Sequence, residues 1–290
     1  MRHIIPISGK DSLATAIVQM TIAPDLPYEF WFNDTGGEIP ETYQWLDNVE
    51  KYLGIKIVRI GKSLRQIILS HGFLPSHHKR YCTKEGKIMP MVEAIGNDYA
   101  YVYYGLRADE MDRTGYNPMG KYNITPVYPL RQMGIGINEV YQILEHKGLL
   151  PPVFFWESVY KQVIAENIFF EEWLNKLPKW VFDRIFCWRT RANCYWCFYQ
   201  RRYEWAGLLE HHPELFADAK LIESIGSGDE REEDFFWIGK DFPLTKIEEN
   251  FEKYRNQKVR EVVNMIYSKQ IKTLDEIEMA GTSCGLLCGK

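Results

Sequence analysis

Four of the six cysteines stand in two close pairs along the chain. Cys194 and Cys197 are separated by two residues, and Cys284 and Cys288 are separated by three. The Cys-x2-Cys spacing lets both thiolates reach one metal ion. Two such pairs would provide ligands for Zn²⁺ or for an iron–sulfur cluster, and the ligands alone do not separate these two. Burial of unrelated thiols is the structural alternative.

A second chemical pattern is a glycine turn near the start of the chain. The apolar run at 2–7 is followed by "SGKDS" at 8–12 and then by a helical pattern. Gly9 permits close backbone approach, and the next helix offers free N–H groups and its positive dipole end. Ser8, Lys10 and Ser12 can add donors. The turn predicts a phosphate site, although the Walker A spacing is absent and a plain strand–helix connection is the alternative.

The elements around these residues alternate between strand and helix patterns. Strand patterns cover 2–7, 28–33, 55–60, 99–105 and 125–130, and helical patterns cover 12–22, 40–53, 62–71, 84–96 and 137–147. This alternation predicts an α/β fold with a mainly parallel sheet and helices on both faces. Ligands in such folds bind beyond the carboxyl ends of the strands. "SGKDS" and "NDTGGEIPET" both follow strands, so we expect both on that rim.

The character of the chain changes after "LLPPVFFW" at 149–156. Residues 157–186 are helical and rich in Trp and Phe, 245–279 are helical again, and the cysteine pairs lie in this part. We therefore predict one domain at 1–156 and a helical, cysteine-rich domain at 157–290. The arginines and aromatic residues at 187–205 favour packing within this domain over contact with nucleic acid.

Composition excludes several classes of protein. The chain has 290 residues, 46% of them hydrophobic, with 35 basic and 39 acidic residues and a net charge of −4. This balance argues against a wholly basic nucleic-acid binder but permits a local basic patch. No stretch approaches the about 18 continuous apolar residues that span a membrane. We expect a cytoplasmic protein without membrane contact, where clustered cysteines indicate metal or redox chemistry rather than disulfides.

Five motifs, in order along residues 2–156, resemble the phosphoadenosine phosphosulfate (PAPS) reductase branch of the PP-loop superfamily of adenine-nucleotide α-hydrolases. "GKDS" at 9–12 matches the end of the usual SGGKDS, and "DTGGEIPET" at 34–42 matches DTG-x-x-(F/I)-PET. The other three are "RYCTKEGKIMPM" (80–91), "YYGLRADEMDR" (103–113) and "YPLRQMGIGINEVYQILEHKGL" (128–149). The chain departs from the pattern at the loop start, where Ile7 and Ser8 replace Ser and Gly.

The resemblance implies that the first domain binds an adenosine phosphate: PAPS, adenosine phosphosulfate (APS) or ATP, the last with Mg²⁺. Carried over by position, the phosphate would be held by Ser8, Gly9, Lys10, Asp11 and Ser12. Asp34 and Gly36 would line the nucleotide site, and Arg107 would contact the anionic group of the ligand. Lys10 and Arg107 are accordingly expected to be catalytic. A surface ion pair for Arg107 and a turn cap for Asp34 are the alternatives.

The resemblance also implies a [4Fe-4S] cluster, with zinc as the alternative. APS-reducing members hold the cluster on a Cys-Cys pair and a later Cys-x2-Cys. Cys82 matches the second cysteine of the first pair, where Tyr81 replaces its neighbour, and Cys194 and Cys197 match the later pair. A fourth ligand must then come from Cys187, Cys284 or Cys288, and we favour Cys288.

The chain end has a further resemblance. PAPS and APS reductases end in an E-C-G-L-H segment whose cysteine attacks the sulfate sulfur. Here "SCGLLCG" keeps Cys284, but Ser283 replaces the acid and Leu287 replaces the histidine. Cys284 is therefore expected to be either the catalytic nucleophile or a metal ligand.

Three functions are compatible with these features. The first is a PAPS or APS reductase that uses Cys284 and an external, thioredoxin-like thiol reductant. The second is an ATP pyrophosphatase that adenylates a base of tRNA or DNA for sulfur insertion. The third is a non-catalytic regulator that senses nucleotide or redox state. A homo-oligomer is compatible with each of them.

Overall fold

The computed structural model describes residues 1–113, 122–167, 170–177, 179–189, 191–226 and 235–267. Within these parts, no helix is both long enough and apolar enough to cross a membrane.

A five-stranded sheet forms the centre of the N-terminal half. Its strands are β1 (Arg2–Pro6), β2 (Tyr28–Asn33), β3 (Ile57–Ile60), β4 (Ala100–Tyr103) and β5 (Ile124–Val127). Their order across the sheet is β3-β2-β1-β4-β5, and each neighbouring pair is parallel. The predicted mainly parallel α/β fold is confirmed.

Helices connect these strands or follow β5. They are α1 (Lys10–Ile22), α2 (Pro40–Leu53), α3 (Leu64–His71), α4 (Tyr81–Thr83), α5 (Met89–Ile95), α6 (Pro129–Gln132) and α7 (Ile137–His146). Pro40 begins α2, and Gly54 ends it in a left-handed conformation (φ 64°), as a proline start and a glycine cap allow. The expected helix at 84–96 is divided into a π-helical turn at Lys84–Ile88 and α5. The strand expected at 125–130 is shorter because Pro129 begins α6.

The two faces of the sheet are covered by different helices, because consecutive side chains of a strand point to opposite faces. Phe30 and Phe32 lie in a core cluster with residues of α1, α2 and α7. Trp31, which stands between them, lies in a second cluster with Met91 and Ile95 of α5. The prediction of helices on both faces is therefore confirmed.

The C-terminal half is mainly helical. It contains α8 (Glu157–Glu166), α9 (Phe170–Leu174), α10 (Lys179–Ile185), α11 (Arg202–His211), α12 (Pro213–Gly226), α13 (Thr245–Glu249) and α14 (Phe251–Tyr267). Two short antiparallel pairs accompany the helices: β6 (Phe154–Phe155) with β7 (Cys187–Arg189), and β8 (Phe235–Phe236) with β9 (Gly239–Lys240).

The C-terminal half packs against the N-terminal half through a shared apolar core. One cluster joins Ile39, Leu64 and Ile68 of the first half to Trp188 and Trp205 of the second. A polar contact lies beside it, where Arg65 of α3 forms a salt bridge with Asp218 of α12. This packing fixes the cysteine-bearing segment relative to the sheet.

The strand order places a crevice at one point of the sheet rim. The chain builds β1, β2 and β3 towards one edge and then crosses to β4 and β5 on the other side of β1. At such a switch point the loops after the two central strands leave in opposite directions and open a ligand crevice. The loops in question are "SGKDS" after β1 and "GLRADE" after β4.

Candidate functional site

The hydroxyl of Ser12 organises the loop after β1. Its Oγ accepts hydrogen bonds from the backbone N–H groups of Ser8 (2.9 Å) and Gly9 (3.1 Å) and donates one to the Gly9 carbonyl (2.9 Å). A Cβ added to Gly9 would have no heavy atom within 4 Å, so the glycine faces open space at the start of α1. The loop thus leaves room for an anion at a helix N-terminus.

Gly105 brings the loop after β4 against the start of α1. A Cβ at this position would lie 2.6 Å from the backbone carbon of Asp11 and 2.6 Å from the backbone nitrogen of Ser12. Only a residue without a side chain permits this approach. The two loops that flank the crevice are therefore in direct contact.

Arg107 lies within this contact rather than on the surface. Its side chain is 5% exposed and forms salt bridges with Asp11 (3.1 Å) and Asp109 (2.8 Å). Asp109 also accepts a hydrogen bond from the N–H of Ile137 at the start of α7 (2.9 Å). Lys10 approaches the other oxygen of Asp11 (3.2 Å). Asp11 is thus held between two cations at the base of the loop after β1.

The loop after β2 carries the next predicted residues. Asp34 accepts hydrogen bonds from the N–H of Gly36 (2.9 Å) and from the hydroxyl of Tyr43 (2.8 Å), and Arg59 lies 3.7 Å away. Burial and the Asp34 carboxylate together raise the pKa of Tyr43, so its hydroxyl remains a donor. Gly36 adopts the left-handed conformation (φ 71°) that the turn requires. The Asp34 carboxylate is therefore fixed on the rim.

The cysteine-bearing segment is seated directly on this loop. The N–H of Tyr195 donates to the carbonyl of Gly37 (2.7 Å), and the thiol of Cys194 lies 3.2 Å from the hydroxyl of Thr35. The same thiol is 3.9 Å from a carboxylate oxygen of Glu38. These contacts join residues about 160 positions apart, and they place the Cys-x2-Cys pair beside the loop after β2.

Three cysteines line one cavity at this junction. The cavity has a volume of about 30 Å³, and its walls include Thr35, Lys87, Cys82, Cys194 and Cys197. Cys82 stands on α4, while Cys194 and Cys197 form a tight turn in which the N–H of Cys197 donates to the Cys194 carbonyl (3.0 Å). We call this space the thiol cavity.

The donor types of the thiol cavity suit a metal, since Zn²⁺ and iron–sulfur clusters are both bound by cysteine thiolates. The separation between the three cysteine side chains is less favourable for metal binding. Among the residues that the structure describes, no group of three or more His, Cys, Asp or Glu side chains is arranged to hold a metal ion. Cys284 and Cys288, the predicted nucleophile and fourth ligand, lie outside the described residues.

Two further buried side chains, Cys187 and Arg189, form hydrogen bonds within the protein outside the thiol cavity. Cys187 is away from the thiol cavity; its thiol donates to the Arg184 carbonyl (3.0 Å), and burial raises its pKa, which disfavours the reactive thiolate. Arg189 is buried and donates to Gln200 (2.9 Å) and to the carbonyl of Asn193. Burial lowers its pKa, which the nearby Glu38 partly offsets. Arg189 thus supports the segment that carries Cys194 and Cys197.

The structure brings the predicted residues into two adjoining groups. Residues 8–12 and Arg107 surround the switch-point crevice, Asp34 and Gly36 follow on the same rim, and Cys82, Cys194 and Cys197 line the thiol cavity. Sequence reasoning missed Thr35, Glu38 and Asp109. The first two stand inside the "DTGGEIPET" motif and the third inside "GLRADE", so these motifs could have indicated all three residues. Their contacts join segments that are distant in the sequence, and the motifs do not predict such contacts.

Comparison with known proteins agrees with the motif resemblance. Residues 2–129 match the family model of the phosphoadenosine phosphosulfate reductase domain. The resemblance inferred from the motifs is thereby confirmed for that part of the chain.

Two individual proteins are similar to the chain. An uncharacterized protein of Methanocaldococcus jannaschii is 28% identical over 191 residues, which cover 63% of this chain and 35% of that protein. The chain thus spans about a third of the length of this curated relative. The crystal structure of a phosphoadenylyl-sulfate (PAPS) reductase from Candida auris, in a phosphate complex, aligns with a TM-score of 0.41 at 17% identity. The alignment covers 52% of this chain and 74% of that one.

Replacement of Gly37 by Ala tests the seating of the cysteine segment on this domain. The new Cβ would lie 2.7 Å from Nε1 of the buried Trp196 and 3.1 Å from Cβ of Cys194, so the segment must shift. We expect the free energy of unfolding to fall by about 1–3 kcal/mol in urea denaturation. Gly9→Ala is the matched control, because its Cβ meets open space and its backbone is extended (φ 175°). An equal loss of unfolding free energy in the two variants would contradict the close contact of Gly37 with Trp196 and Cys194.

Proposed function

We propose that the chain binds an adenosine phosphate in the crevice between the loops after β1 and β4 and carries out sulfur chemistry at the adjoining thiol cavity. The observation that supports this most directly is the position of Thr35. It belongs to the nucleotide-loop motif, yet its hydroxyl lies 3.2 Å from the thiol of Cys194 and forms part of the cavity wall. A nucleotide on the rim and a sulfur atom at the cavity would be neighbours.

The phosphate or sulfate of the ligand would lie at the N-terminus of α1. There the helix dipole favours an anion, and Lys10 adds a positive charge at the loop. Arg107 is bound to Asp11 and Asp109, so its first effect is to hold the two loops together.

The thiols of Cys82, Cys194 and Cys197 would hold a [4Fe-4S] cluster or a zinc ion, with Cys288 as the fourth ligand. The three side chains share one cavity, which supports this set. They are not gathered to ligand distance in the described residues, so binding would draw them together. The bound group would supply a site that keeps sulfur close to the nucleotide.

The leading reaction is reduction of PAPS or APS. The Cys284 thiolate would attack the sulfate sulfur, and the bond between sulfur and the bridging phosphate oxygen would break. The adenosine phosphate leaves with the electron pair, and Cys284 carries an S-sulfonate. An external dithiol, such as a thioredoxin-like protein, then releases sulfite and is oxidised to its disulfide.

The second candidate reaction begins with ATP. An oxygen of a tRNA or DNA base would attack the α-phosphate and release pyrophosphate, with Mg²⁺ neutralising the phosphates. Hydrosulfide from an external sulfur donor would then attack the activated carbon, and AMP would leave with the electron pair of the broken carbon–oxygen bond. Two observations favour this candidate. The segment "SCGLLCG" lacks the acid and the histidine of the reductase segment. The segment 76–87, which carries four Lys and Arg residues and one acidic residue, contributes Cys82 to the thiol cavity.

Replacement of Cys284 by Ser separates the two reactions. For the reductase, sulfite release from PAPS and APS in the presence of a dithiol should be lost in Cys284→Ser, while nucleotide affinity measured by calorimetry stays within about twofold. For the second candidate, pyrophosphate should be released from ATP only when tRNA or DNA is added.

Lys10→Ala is the control for this assay, because it should weaken nucleotide binding under both reactions. Sulfite release that survives in Cys284→Ser, or that never occurs in the unmodified protein, contradicts the reductase. Absence of nucleotide binding in the unmodified protein contradicts the proposed function as a whole.

Metal content tests the proposed ligand set independently. Protein purified without oxygen should contain zinc, or iron with a broad absorption band near ~400 nm. Replacement of any one of four cysteines by Ala should remove the metal: Cys82, Cys194, Cys197 or Cys288. Cys187→Ala is the matched control and should retain it, because the Cys187 thiol is bonded to the Arg184 carbonyl away from the cavity. Metal that persists in Cys194→Ala and Cys197→Ala would falsify the assignment.

A further inference from the structure

A basic segment forms one border of the thiol cavity. Residues 76–87, "SHHKRYCTKEGK", contain four Lys and Arg residues and one acidic residue, Glu85, in a chain whose net charge is −4. Cys82, Thr83 and Lys87 of this segment line the cavity. Because the protein as a whole is acidic, an anionic partner is attracted to this positive surface more strongly than to the rest of the molecule.

Two of the four Lys and Arg residues of this segment, Lys79 and Lys84, are exposed at the surface. His77, His78, Lys79 and Lys84 are exposed. Neither Lys79 nor Lys84 forms a salt bridge with a carboxylate among the described residues. The acidic Glu85 is already engaged by His71, whose Nε2 lies 3.1 Å from both carboxylate oxygens. The segment therefore presents two exposed cations, Lys79 and Lys84, with which Glu85 is not paired.

Aromatic rings are interleaved with these cations. The Lys79 ammonium lies 4.7 Å from the centre of the Phe73 ring, and the Arg80 guanidinium lies 5.6 Å from the centre of the Tyr199 ring. The exposed His77 ring contacts Tyr199 edge to face at 4.4 Å. Cations that follow a phosphate chain, together with planar groups on which bases stack, are the chemistry of single-stranded nucleic-acid sites.

We propose that the basic segment binds single-stranded nucleic acid, with Lys79 and Lys84 on successive phosphates and the exposed His77 ring against a base. Cys82 lies between the two lysines in sequence and faces the thiol cavity, so a bound strand would run past the cavity mouth. The cavity, at about 30 Å³, is too small for a base, which would therefore remain at the mouth. This binding does not depend on which of the two reactions the protein performs.

The double variant Lys79→Ala/Lys84→Ala tests the proposal through fluorescence anisotropy of labelled RNA and DNA strands of about 12 nucleotides. The variant would lose two solvent-exposed ion pairs between lysine and phosphate, so its affinity for the strand should fall roughly tenfold. The slope of log affinity against log salt should become shallower by about 1.4, since each contact on a single strand contributes about 0.7. Lys51→Ala/Lys56→Ala is the matched control, because it removes two exposed lysines elsewhere and should bind as the unmodified protein does.

Three comparisons can overturn the proposal. Equal affinity of the two double variants would show that the basic segment is not the contact. Tighter binding of a duplex of the same length would contradict single-strand recognition. Inorganic polyphosphate or an acidic peptide that binds as tightly as the oligonucleotide would show a general anion surface without base contact. Unchanged circular dichroism and urea midpoints of the variants establish that they are folded.

Discussion

The rest of the site depends on the seating of the Cys194–Cys197 turn on the loop after β2. One backbone hydrogen bond, from the N–H of Tyr195 to the carbonyl of Gly37, fixes the register of the two segments, and Gly37 has no side chain to keep them apart. Thr35 and Cys194 are brought within 3.2 Å as a result. The loop after β2 thereby provides the Asp34 carboxylate on the sheet rim on one side and a wall of the thiol cavity on the other.

The crevice beside it follows from the topology of the sheet. The strand order reverses between β1 and β4, and Gly105 lets the loop after β4 reach the first turn of α1. The ion pairs from Arg107 to Asp11 and Asp109 then join these loops within a largely buried environment, where such pairs are little screened. The loop after β1 is consequently held in place by contacts within the protein, which would reduce the ordering that binding of the proposed phosphate requires.

Much of the fold follows from local patterns in the sequence. The apolar run at 28–33 forms β2 as expected. Pro40 begins α2 and Gly54 ends it, and both ends were predictable because these residues act through local backbone geometry. The proximity of Cys82, Cys194 and Cys197 to Thr35 is not local; it arises from a core shared by both halves, which no short motif encodes. The burial of Arg189 and the paired state of Arg107 are likewise consequences of packing. The roles of Cys284 and Cys288 remain predictions, since both lie outside the described residues.

The central claim is that the nucleotide rim and the thiol cavity form one site. The most direct measurement is the rate at which iodoacetamide alkylates each cysteine of the metal-free protein, followed by mass spectrometry, with and without PAPS, APS or ATP. The account predicts that a bound nucleotide slows alkylation of Cys194 and Cys197 severalfold and leaves the buried Cys187 unchanged. Identical rates for Cys194 and Cys197 at saturating nucleotide would contradict it.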